Sequence, residues 1–130
     1  MSGSVPAPAE ELIEGARSMA HLATCADGRP HVAPVWYVYQ DGVVEITTGG
    51  RKLTNLRSNP RVALSIQHDE DGETRWMVTL LGTATVVDDD EQFRAVNRRI
   101  NEKYGVDLDS YTGNTLVRID VGSATYRTYR

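Results

Sequence analysis

The stretch HLATCADGRPHVAPVWYVYQDGVVEITT, residues 21–48, sets the architecture. It holds two Asp-Gly dipeptides, Asp27-Gly28 and Asp41-Gly42, each flanked by runs rich in β-branched and aromatic residues. Asp-Gly readily supplies the left-handed backbone positions of a tight hairpin. The segment therefore reads as an antiparallel meander of three strands, His21–Ala26, His31–Tyr39 and Val43–Thr48. Between Val32 and Tyr39 apolar side chains fall on both faces, so neither face is left for water. Such a strand suits a small closed or split barrel, one side filling the interior and the other covered by a helix or a second subunit.

The pattern extends in both directions. Arg61–Gln67 and Arg75–Val87 read as two more strands around the acidic loop His68–Gly72, and Gly82 within the longer one predicts a bulge or bend. Thr115–Val121 and Ala124–Tyr129 form a last pair separated by Gly122-Ser123. One helix is expected from Ala9 to about Arg17, with Leu12, Ile13, Ala16 and Met19 at three- and four-residue spacing. A longer one spans Asp88–Lys103, its apolar stripe made of Phe93, Val96, Ile100 and Tyr104. Asp88 and Glu91 have the spacing of a capping box, and Gly105 is the expected left-handed terminator. Residues 1–8 read as a loose tail and 9–130 as one domain. The expected class is mainly β with flanking helices, a split β-barrel of antiparallel strands.

At 130 residues the chain is long enough to bury its own core. Fourteen Lys plus Arg against eighteen Asp plus Glu leave a net charge of −4, which argues against a nucleic-acid partner, since that binding needs clustered cations. No apolar run reaches the roughly 20 residues of a membrane span. The first eight residues have neither a basic nor an apolar region, so no secretory leader is expected. The single cysteine, Cys25, cannot form an internal disulfide, and a cytoplasmic location is expected. His21, His31 and His68 are dispersed, and no metal site is expected.

Chemistry concentrates in TTGGRKLTNLRSNP, residues 47–60. Two glycines leave the backbone bare at the start of a short helix that Asn59-Pro60 ends. Unpaired N–H groups at a helix start favour an anion, whereas Arg51 and Lys52 there are unfavourable, by about 0.3–1 kcal/mol each, unless an anion compensates. Arg51 offers a planar fork, Lys52 a point charge, and Thr47, Thr48 and Asn55 further hydrogen bonds. The pattern reads as a phosphate grip; an exposed basic turn is the alternative. Trp36, Tyr37 and Tyr39 can wall a planar ring or pack as core, and Trp76 is open to the same two readings.

Taken in order, Ala23-Thr24, Asp27-Gly28, Pro30-His31, Pro34-Val35-Trp36-Tyr37, Asp41-Gly42, Thr47-Thr48, Arg51-Lys52, Asn55-Leu56, Asn59-Pro60-Arg61-Val62 and Gly82-Thr83-Ala84 resemble the pyridoxamine 5′-phosphate oxidase-like flavin- and deazaflavin-dependent oxidoreductases. The likeness spans roughly residues 15–125 and is strongest to the branch that uses a deazaflavin, coenzyme F-420. It implies an FMN-binding type of split barrel and a homodimer with cofactor sites at the subunit interface. It also implies a reductase that passes a hydride to a small conjugated organic substrate. By the same resemblance Thr48, Arg51, Lys52 and Asn55 match phosphate-binding positions, and Pro34, Val35 and Trp36 match the strand beside the ring. Trp76 and Arg127 are nominated from the second subunit, and solvent or Tyr37 as proton source. Gly49-Gly50 departs from relatives, which often carry bulkier residues there. FMN is the alternative cofactor, and a non-catalytic flavin- or haem-binding protein the alternative function.

Overall fold

Seven strands form one antiparallel sheet in the order β2-β1-β5-β6-β7-β4-β3. They are β1 Ala20–Ala26, β2 Arg29–Val35, β3 Val38–Gln40, β4 Val43–Thr48, β5 Arg61–Glu70, β6 Glu73–Val87 and β7 Thr115–Thr128. Among the described residues three helices flank them: α1 Ala7–Glu14, α2 Gly50–Ser58 and α3 Asp90–Tyr104. The structure is a computed structural model and describes residues 4–129.

Three hairpins turn on Asp-Gly pairs in which both residues have positive φ: Asp27-Gly28 (53° and 73°), Asp41-Gly42 (49° and 83°) and Asp71-Gly72 (53° and 79°). This backbone twist matches that of the strands it joins. The third hairpin absorbs most of the acidic segment expected as a loop, because β5 and β6 continue to Glu70 and Glu73.

The expected single strand His31–Tyr39 is instead two. β2 pairs with β1 at one margin of the sheet, and β3 pairs with β4 at the other. Only Trp36 and Tyr37 lie between them, so the two margins are brought together without a hydrogen-bonded seam. That is the split of the barrel. The crossing is pinned from several sides: the Tyr37 hydroxyl donates to the Ile13 carbonyl (2.7 Å), and Lys103 Nζ donates to the Tyr37 carbonyl (2.9 Å). Tyr104 donates its hydroxyl to the Ser18 carbonyl (2.9 Å).

The interior is filled by alternate residues of the strands, among them Leu22, Ile46, Leu64, Ile66, Leu80 and Ile119. A smaller cluster, Val38, Val96, Ile100 and Leu116, lies under α3, with Trp36, Phe93 and Tyr104 against it. Glu45, only 12% exposed, receives Arg99 of α3 at 3.1 Å and Arg118 of β7 at 3.0 Å, tying helix to sheet. The α3 cap is Asp89, not Asp88: its carboxylate accepts from the Gln92 N–H at 3.0 Å. Three consecutive aspartates made the position ambiguous by one residue. Gly105 ends the helix at φ 74° as expected.

The last two expected strands are one, β7, kinked where Leu81 pairs Ser123 and Gly82 pairs Val121, so that Gly122 is the extra residue. Opposite it, a Cβ on Gly82 would lie 2.6 Å from the Asp120 carbonyl oxygen, which is backbone and cannot yield cheaply. Gly82→Ala is therefore expected to lower stability by about 1–3 kcal/mol, read as an earlier urea midpoint with unchanged slope.

The segment expected as a loose tail is structured from Ser4 onward. Val5 is 4% exposed within the core, and Ser4 Oγ donates to the Val121 carbonyl at 2.6 Å. Residues 1–3 of that expected tail lie outside the described residues. α1 begins two residues earlier than the periodicity implied, with a proline in its first turn, and gives way at Gly15.

Candidate functional site

A groove of about 650 Å³ runs between the end of β2, the turn from β4 into α2, and the loop between α3 and β7. It collects six of the eight residues singled out from sequence: Pro34, Val35, Trp36, Thr47, Thr48 and Lys52. β4 delivers Thr47 and the buried Thr48, after which Gly50 takes φ 63° to start α2. Among the described residues no side chain caps α2, so its first N–H groups are left for water or an anion. Lys52 lines the groove with no hydrogen-bond or ion-pair partner among the described residues. Thr47 Oγ1 donates to Asn97 Oδ1 at 3.4 Å.

Arg51 and Asn55 lie elsewhere. Four residues apart on one face of α2, they line a second cleft of about 800 Å³ with Asp27, Arg29 and His31. Asn55 Nδ2 donates to Thr24 Oγ1 at 3.1 Å, and both side chains are buried. That amide fastens α2 to β1. Trp76 stands opposite Thr128, and exposed Arg127 opposite Met77, at the far end of the β6–β7 ribbon; neither lines the groove of its own chain. Tyr37 is fully buried, and burial raises its hydroxyl pKa well above the tyrosine range.

Trp36 both lines the groove and packs on the cluster under α3. Tyr104 stacks on it at 4.7 Å and 6°, and Tyr111 meets it edge-on at 5.6 Å and 85°. Beneath them Lys103 Nζ lies 3.6 Å from the centre of the Tyr37 ring. Sequence reading placed Lys103 only as a helix end and missed Tyr111, Asn97 and Asn101. The signal was there in part, since Asn97 and Asn101 sit four apart on the buried side of α3.

Desolvation lowers the Lys103 pKa to about 8. Between that value and its ordinary 10.5 the unfolded chain holds the extra proton, so stability rises with pH there. Burial pushes Tyr104 up to about 12 and raises Tyr37 and Tyr39 as well, so above pH 10 the folded chain holds the extra protons and stability falls. Denaturation midpoints measured from pH 7 to 11 are expected to trace this rise and fall. Lys103→Met is expected to abolish the rise and keep the fall.

The outer face of the sheet lacks charge along one register row: Val32, Ala23, Ala63, Leu81 and Ser123 pair in sequence across five strands. Val32 is 64% and Leu81 53% exposed. Among the described residues no three His, Cys, Asp or Glu side chains come together as a metal site, and no helix is long and apolar enough to cross a membrane.

A split barrel with a basic turn and an aromatic-walled groove defines a class of ring-binding proteins rather than one activity. The chain belongs to the pyridoxamine 5′-phosphate oxidase family, whose description matches residues 6–127. None of the curated proteins matches it in sequence. Among solved structures it is similar to the conserved hypothetical protein Rv2991 from Mycobacterium tuberculosis, with 27% identity over 100% of this chain and 86% of that one and a TM-score of 0.81. An F420 reductase matches at 22% identity over 96% and 98% of the two chains, TM-score 0.74. The haem storage protein HutZ from Vibrio cholerae matches at 23% identity over 95% and 94%, TM-score 0.74. These likenesses carry the pyridoxamine 5′-phosphate oxidase-like split barrel.

Proposed function

We propose that the chain is an oxidoreductase that uses a deazaflavin, coenzyme F-420, to pass a hydride to a small conjugated organic substrate. The observation that carries this reading is the groove itself, which joins an uncapped, unpaired basic turn to an aromatic wall. A phosphorylated planar ring fits that donor set. Lys52, the first N–H groups of α2 and Thr48 line the part of the groove a phosphate requires, while the Thr47 hydroxyl is committed to Asn97. Pro34, Val35 and Trp36 face the other. β2 pairs with β1 alone, so its free edge leaves backbone groups available to a ring's polar rim, and Pro30 and Pro34 are tolerated there for the same reason.

The bound cofactor would supply the hydride chemistry; the chain supplies grip, orientation and shelter from water. Lys52 neutralises charge at the basic end, and Trp36, fixed by Tyr104, orients the ring plane. Tyr37, with its hydroxyl committed to Ile13, holds the crossing instead of moving a proton, which leaves proton delivery to solvent.

The second part of the proposal is a cytoplasmic homodimer that completes each groove with a partner residue such as Trp76 or Arg127. The uncharged row from Val32 to Ser123 is the face that would be buried. Sedimentation at micromolar concentration is expected to give a dimer, and a clean monomer would remove this part.

Side-by-side fluorescence titration with coenzyme F-420 and FMN tests the cofactor. Tighter, saturable binding of F-420 and turnover of enone or quinone substrates are expected. A purified yellow protein that releases FMN on denaturation would transfer the reading to an FMN oxidoreductase. The likeness to a haem storage protein supports a third reading, a binder without turnover, which saturable haem or flavin binding with no reduction of any substrate would favour.

A further inference from the structure

We propose that Tyr111, held against Trp36 by the buried amides of Asn97 and Asn101, is the end stop of the groove and sets the size of planar ring it admits. The inference rests on the cofactor reading above and adds to it the residue that limits the ring.

Tyr111 is 58% exposed, so burial does not explain its position. Its φ is 61°, a left-handed conformation that a bulky side chain adopts only when the surrounding structure imposes it. What imposes it is visible. The carbonyl of Ser110, the residue immediately before, accepts from Asn97 Nδ2 at 2.8 Å and Asn101 Nδ2 at 3.0 Å. Asn101 Nδ2 also reaches the Leu108 carbonyl at 2.9 Å. Asn97 is 2% and Asn101 1% exposed. A buried amide without partners is strongly disfavoured, so each amide resists any movement of the loop away from α3. The exposed Arg98–Asp109 pair at 3.2 Å adds little to this hold.

The loop thus presents a strained tyrosine to one target, the Trp36 indole, at 5.6 Å and near a right angle. Trp36 cannot retreat from it, because Tyr104 is stacked behind at 4.7 Å. A planar ligand lying along Pro34 and Val35 therefore meets two rings set at right angles. Asn97 also accepts from Thr47 at 3.4 Å, so the side chain that holds the Tyr111 loop also reaches the strand leading into the basic turn. A tyrosine fixed in this way on a groove-lining loop limits how far a planar ring can extend past Trp36.

The test compares lumichrome, a three-ring probe, with a benzo-fused four-ring analogue, using fluorescence titration of the full-length protein. The native chain is expected to prefer the three-ring probe by at least about tenfold, the scale on which a pocket rejects extra apolar bulk. Tyr111→Gly, which suits the left-handed backbone and should fold normally, is expected to bring that ratio close to one. Tyr111→Phe, which keeps the ring, is expected to preserve it. An unchanged ratio in Tyr111→Gly overturns the end stop, while saturable F-420 binding by the native chain that Lys52→Ala weakens leaves the cofactor reading standing. Failure of the native protein to bind either probe overturns the end stop, and failure to bind F-420 or FMN overturns the cofactor reading.

Discussion

Lys52→Ala is expected to weaken binding of the phosphorylated cofactor by about 1.5–3 kcal/mol, roughly 10- to 150-fold in Kd, as for loss of a hydrogen bond to a charged group. The physical basis is that Lys52 faces the groove with no competing anion among the described residues, so its charge is fully available to a ligand. Its contribution should also fall as salt is raised, because the site is open to solvent. Arg51→Ala separates two readings of the turn. From sequence alone the two cations are equivalent, and equal losses are expected. In the fold Arg51 lines the second cleft, so its loss should matter less than that of Lys52. Isothermal titration of both variants with F-420 and with FMN measures the difference, and unchanged affinity in Lys52→Ala would move the phosphate away from this turn.

Tyr37→Ala is expected to cost about 3–5 kcal/mol of folding stability, the range for truncating a large buried aromatic. The side chain is wholly buried, its hydroxyl satisfies the Ile13 carbonyl, and its ring faces the Lys103 ammonium. Tyr37→Phe should cost less, about 1–3 kcal/mol, since it removes only the hydrogen bond and leaves a buried carbonyl unpaired. Urea unfolding of the two variants reads both values. A Tyr37→Phe chain with native stability but lost turnover would instead place the hydroxyl in the chemistry. The residue matters because it lies in the two-residue crossing between the margins of the sheet, where no ladder of backbone hydrogen bonds shares the load.

Much of this molecule is legible locally. Asp27-Gly28 and Asp41-Gly42 announce hairpins because few dipeptides accept positive φ twice in succession. The stop at Gly105 follows from the same property of glycine, whereas Gly82 beside the bulge is needed because a Cβ there would meet the Asp120 carbonyl. The uncapped basic turn could be anticipated because glycines, cations and a helix start are adjacent in the chain. Positions shifted where local signals were degenerate, as among Asp88, Asp89 and Asp90. They also shifted where a proline-containing edge strand ran into a crossing with no composition of its own, at Trp36 and Tyr37.

Local chemistry, then, determined the hairpins, the helices and the uncapped basic turn, since each depends on interactions within a few residues. Tertiary structure alone decided that Arg51 and Asn55 face a different cleft from Lys52, that Lys103 is desolvated under an aromatic stack, and that Tyr111 closes on Trp36. Those outcomes depend on which elements pack together across dozens of residues, and on the direction each side chain takes once the barrel has wrapped around its split.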